Sequence, residues 1–170
     1  MTTLSLRSRL GALAALSVVS TSSAADYAWQ VDGTSNTWST SAGDTNWFID
    51  GGATLSPWTD GNAALFTAAT GESVALAGTV TPASVAFSSN GNWTLSGSGV
   101  IAGTGSLTKS GTGTLTITTS AASTFSGGTV INGGTLSLGT GGTLRLWIRN
   151  NATFTIANAL AVNGGTIWNE

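Results

Sequence analysis

At 170 residues, with 7% charged and 41% apolar residues, the chain has the length of one ordinary domain, and helix-favouring Glu and Lys are nearly absent. It has no cysteine and no histidine, which excludes disulfide frameworks, thiolate nucleophiles, histidine general bases and the usual zinc sites. Five basic against seven acidic residues give a formal charge of −2, with no basic footprint for nucleic acid. Disordered chains combine high charge with few large apolar side chains, and the seven Trp and five Phe here argue against that class. Threonine-rich, glycine-punctuated composition favours strands.

Residues 1–25 read as a signal peptide: Arg7 and Arg9, an apolar run from Leu10 to Val19, then small residues before Asp26. Cleavage is predicted after Ala24 or Ala25, and the run is too short to span a bilayer comfortably. A helical leader of this kind implies export. Its removal would leave 3 basic and 7 acidic residues, a charge of −4.

Residues 26–70 form a tryptophan-rich stretch, expected to be an N-terminal β cap. Trp29, Trp38, Trp47 and Trp58 stand nine, nine and eleven residues apart among Ser, Thr, Gly, Asn and Asp. Such spacing suggests short strands turning back on one another. The indoles should seal the end of a hydrophobic core, since large aromatics are mostly buried. The same four residues could instead form a stacking platform for sugars.

Residues 71–170 are predicted to form the coils of a solenoid. Val74 and Leu76, Val85 and Phe87, and Trp93 and Leu95 alternate with small polar neighbours, and Gly71, Gly78, Pro82, Asn90-Gly91, Gly97 and Gly99 punctuate the runs. The chain also resembles itself. Val130-Ile131-Asn132-Gly133-Gly134-Thr135-Leu136 aligns with 161–167 at a shift of 31, while Gly113-Thr114-Leu115 and Thr124-Phe125 align with later segments at a shift of 29. This periodicity predicts coils of about thirty residues, too poor in apolar side chains to fold singly, which share their apolar faces when stacked.

The best copy, 105–138, runs Gly105-Ser106-Leu107-Thr108-Lys109, Gly111-Thr112-Gly113-Thr114-Leu115-Thr116-Ile117, Thr124-Phe125, Gly127-Gly128-Thr129 and Gly133-Gly134-Thr135-Leu136. In order and spacing it resembles the autotransporter-associated β-strand repeat, also described as the passenger-associated transport repeat. A weaker copy at 142–167 lacks the lysine and is interrupted by Arg145, Trp147 and Arg149. The resemblance implies an all-β, right-handed parallel β-helix in an exported bacterial passenger, at the cell surface or outside it, with a role in transport and folding of the passenger. The chain ends at Glu170 without a membrane barrel, so the outer-membrane machinery would lie elsewhere and a fragment of a longer protein is expected. An uncapped last coil would favour self-association.

Polysaccharide-cleaving chemistry would need converging carboxylates. None lies between Glu72 and Glu170, and Asp26, Asp32, Asp44, Asp50, Asp60 and Glu72 read as turn residues and their neighbours. Asp44-Thr45-Asn46 begins a calcium loop but lacks its later glycine and glutamate. No catalytic, metal-binding or cofactor-binding residue is assigned, and no cofactor is expected. The composition and resemblance together predict a non-enzymatic structural, adhesive or secretion-assisting protein, with surface glycans or other cell-surface components as candidate partners. The alternatives are a carbohydrate-binding module or a polysaccharide-acting β-helix protein. Within the best copy, Leu115, Ile117, Phe125, Val130, Leu136 and Leu138 are expected to face inward, with corners at Gly127-Gly128 and Asn132-Gly133.

Overall fold

The computed structural model describes residues 23–30 and 35–139, together with the strand backbones Thr143–Arg145, Leu160–Val162 and Thr166–Trp168. The predicted leader lies outside the described residues up to position 22, as does most of the weaker repeat copy. All regular structure among the described residues is strand. In chain order the strands are β1 (Asp26–Trp29), β2 (Thr37–Trp38), β3 (Thr45–Ile49), β4 (Ser56–Pro57), β5 (Ala63–Phe66), β6 (Ser73–Leu76), β7 (Thr79–Val80), β8 (Ser84–Phe87), β9 (Trp93–Gly97), β10 (Val100–Ile101), β11 (Ser106–Lys109), β12 (Thr114–Ile117), β13 (Thr129–Ile131), β14 (Thr135–Leu138), β15 (Thr143–Arg145), β16 (Leu160–Val162) and β17 (Thr166–Trp168).

From β5 onward these strands repeat as the walls of a solenoid. One wall stacks β5, β8, β11 and β13; a second stacks β6, β9, β12, β14 and β16; a third, narrower wall pairs β7 with β10. Every pairing within these walls is parallel. The third wall continues past β10 through the coil after it, where Thr124 N donates to Ile101 O at 2.8 Å and Ser126 N to Gly103 O at 2.9 Å. Pairing edge to edge on consecutive coils satisfies backbone groups that one short strand would leave open.

The alternation of the sequence sets which side faces in. β5, β8, β11, β12 and β14 each bury every second residue. Aligned register then stacks like on like: Trp93, Leu115 and Leu136 lie over one another, as do Leu95, Ile117 and Leu138. These six side chains are all buried.

Two expectations are corrected here. The coil is shorter than thirty residues: Leu107 pairs with Val85, and Leu136 with Leu115, steps of 22 and 21 positions. The similarity at a shift of 31 compares different corners. Val130 to Leu136 crosses from β13 to β14, whereas 161–167 crosses from β16, on the same wall as β14, to β17 beside β15. Asn-Gly-Gly-Thr is turn chemistry, and turn chemistry recurs wherever the chain bends. Val130, expected inside, is 43% exposed. In β13 it is Thr129 and Ile131 that point inward, aligned with Leu107 and Lys109, so parity places Val130 outside.

Close stacking at the corners requires glycine. A Cβ on Gly113 would run into the carbonyl oxygen of Gly91 one coil earlier, and one on Gly134 into that of Gly113 one coil earlier again. Gly134 also adopts φ 68°, so the left-handed residue of that corner falls one position beyond the predicted Asn132-Gly133 pair. Exposed asparagines tie the coils from outside: Asn90 and Asn92 accept from Thr112 N and Thr114 N at 3.1 and 2.9 Å.

The N-terminal end departs from the parallel pattern. β1 pairs parallel with β5 on one side and antiparallel with β3 on the other, and β3 continues antiparallel to β4. β2 covers the second wall beside β6. The outermost strands, β2 and β4, are two residues long, and β4 ends in Pro57. Short, proline-bearing edges resist pairing with another chain.

Candidate functional site

The largest concentration of distinctive side chains is the tryptophan cluster under this cap. Trp29, Trp38, Trp47 and Trp58 are at most 3% exposed. Their positions follow from strand parity and from antiparallel pairing, which sets Trp29 directly opposite Trp47. Trp47 is the hub, with ring centroids at 5.0 Å from Trp29, 5.0 Å from Trp58, 5.3 Å from Trp38 and 5.5 Å from Phe66. Most of these pairs meet edge to face or tilted, the geometry the ring quadrupole favours. Phe66 then stacks on Phe87 at 4.3 Å, carrying the aromatic packing into the next coil.

The sugar-stacking reading of these four residues is therefore corrected. Each indole face is packed against another ring or the core, and none is presented to solvent. Two of these indole N–H groups use carboxylates: Trp29 Nε1 donates to Glu72 Oε2, just past the cap, and Trp58 Nε1 to Asp60 Oδ1 within it, both at 2.8 Å. The N–H groups of Trp38 and Trp47 are buried without a hydrogen-bond partner.

The carboxylates proposed as turn residues serve as such or as ties. Asp60 Oδ1 also accepts from Thr81 N at 2.7 Å, and Asp50 Oδ1 accepts from Asp26 N at 2.9 Å. Asp44 accepts from the hydroxyls of Ser35 and Ser39, while Asn46 Nδ2 donates to Thr37 O at 2.8 Å. That arrangement closes a loop on itself and directs the Asp44 and Asn46 side chains at the protein, while Thr45 is exposed. Asp32 lies outside the described residues. Among the described residues no three His, Cys, Asp or Glu side chains gather as a metal-binding group.

Lys109 is a buried charged residue that the sequence analysis did not place. Although charged, it is 1% exposed. Its place follows from strand parity, since Leu107 is inward and Lys109 lies two residues on. Nζ donates to Ser110 O at 2.9 Å, Gly111 O at 3.3 Å and Gly133 O at 3.3 Å. Three donors meet three acceptors, which is the full capacity of an ammonium group. Burial lowers its pKa below the ordinary lysine value by stripping water from the charge.

With this geometry established, comparison with known proteins is informative for one segment. The profile of the family described as Passenger-associated-transport-repeat matches residues 107–138. No curated protein and no solved structure matches the chain significantly. The matched segment opens within β11, runs through β12 and β13, and ends with β14, so it covers one full turn of the solenoid and the first two wall strands of the next. The segment similar to the passenger-associated transport repeat is thus built as stacked parallel coils of a β-solenoid.

Proposed function

We propose that this protein is an exported, non-enzymatic passenger-type solenoid whose role is structural, adhesive or secretion-assisting at the bacterial surface. The observation that carries the reading is the coincidence of the matched repeat with register-aligned coils at 107–138. A stack of this kind offers a long outer surface of Ser, Thr and Ala, and it needs no cysteine, which suits a chain that crosses a compartment where thiols are oxidised. Surface glycans or other cell-surface components are the partners such a surface would meet.

Export by the N-terminal leader is supported by how the first described residues are held. Ser23 and Ala24 are exposed, whereas Ala25 N donates to Asn62 Oδ1 at 2.8 Å and Ala25 O accepts from Ala63 N at 2.9 Å. Cleavage after Ala24 leaves both ties in place and, among the described residues, removes only the exposed Ser23 and Ala24. Expressed in a Gram-negative host, the full chain should appear outside the cytoplasm with Ala25 as its first residue, read by intact-mass spectrometry. A variant lacking residues 1–24 should remain in the cytoplasm. Retention of the full chain, uncleaved, in the cytoplasmic fraction would refute the export reading.

A further inference from the structure

Ser110, Gly111 and Gly133 belong to two different coils, yet their carbonyl oxygens converge on one point. The first two follow β11, and the third stands between β13 and β14 of the next coil. Among the described residues, none of the three accepts a backbone hydrogen bond from outside the strands. The ammonium of Lys109 is their partner. Residues 73–169 contain no acidic side chain, so these coils supply no counter-ion for that charge.

The corner one coil earlier is filled differently. Lys109 is aligned with Phe87 before it and Ile131 after it, neither of which can donate. There the Ser89 hydroxyl serves the corner, donating to Gly91 O at 3.5 Å and accepting from Gly91 N at 3.0 Å and from Trp93 Nε1 at 2.8 Å. The corner after Lys109 is shaped around the cation: a Cβ on Gly134 would stand 2.7 Å from Lys109 Nζ. A buried carbonyl without a partner is unfavourable, and a buried ammonium without acceptors far more so. Neither coil can satisfy the group alone.

We propose that Lys109 is an internal cation completing a carbonyl site shared by two successive coils, and that the segment Thr129–Leu138 docks around its ammonium. Until that segment arrives, the charge remains hydrated; docking exchanges water for Gly133 O. The lysine thus couples closure of one coil to placement of the next. It goes beyond the surface role proposed above and does not depend on it.

Lys109 is the single lysine of the chain, so amine acetylation followed by mass spectrometry reads it directly. In the folded full chain its acetylation should be at least about tenfold slower than in the same chain in urea, because reaction requires local opening. Lys109→Met keeps the length of the side chain and removes the donors. In that variant, amide exchange of Ile131 and Leu138 should accelerate at least about tenfold, with Ala64 and Phe66, two coils before Lys109, unchanged. Equal acetylation rates in native and unfolded chain would overturn the proposal, as would unchanged exchange at Ile131 and Leu138. Should Lys109→Met fail to fold, the acetylation ratio of the unaltered chain still decides.

Discussion

Replacing Trp47 by alanine is expected to lower the unfolding free energy by about 3–5 kcal/mol, the range for deleting a fully buried large aromatic. Trp47 is 0% exposed and packs against Tyr27, Trp29, Trp38, Trp58 and Phe66, so its removal opens a void bordered by most of the cap. Urea unfolding followed by circular dichroism measures the loss. Trp47→Phe should be milder, because it retains an aromatic ring and the indole N–H it deletes has no partner to abandon. Equal stability of Trp47→Ala and the parent chain would mean that the cap is not packed as described. The cap matters beyond its own core: β1 bridges the antiparallel hairpin and the first parallel strand, so loosening it frays the edge of the stack.

Leu115→Asp is expected to remove more than about 4 kcal/mol and to unfold the coils, since it places an unpaired charge in a dry core. Leu115 is 0% exposed, between Trp93 and Leu136 in the aligned column. The neighbouring outward position supplies the control. Thr116→Asp lies on the solvent side of the same strand and should change stability by no more than about 0.5 kcal/mol. Loss of strand signal in Leu115→Asp but not in Thr116→Asp, read by circular dichroism, checks the assigned parity. Equal effects of the two would reverse or abolish it.

Parity explains how much could be read in advance. Val74, Leu76, Val85, Phe87, Trp93 and Leu95 all lie inside as their alternation predicts, because period-two patterning and wall geometry are the same constraint. The tryptophans were legible as a core cap for the same reason, and their burial decides against a sugar platform. Coil length was not legible from internal similarity, because corners on different walls share the same Gly-Gly-Thr vocabulary while register is set by backbone pairing between coils. Val130 was expected inside, and the inward place of Lys109 was not anticipated. Residue type does not decide the side here, because β13 and β11 place side chains by position: the valine falls outside and the lysine inside. A lysine at an inward position next to Ser110-Gly111 signals that something at the corner needs a donor, and only the stacked structure shows that the missing acceptor, Gly133 O, comes from the following coil.

The central claim is a parallel stack with a step of about 22 residues, and the absence of native cysteine allows it to be tested by engineered cross-links. Thr116 and Ser137 are direct register partners on the outer side of the second wall. Neighbouring strands lie about 4.8 Å apart, within reach of a disulfide, whereas a diagonal pair two residues out of register is separated by roughly 8 Å and cannot be bridged without backbone movement. Under mild oxidation, Thr116→Cys with Ser137→Cys should therefore form an intramolecular disulfide rapidly, and Thr116→Cys with Thr135→Cys should not. Preferential cross-linking of the second pair, or of neither, would contradict the stack.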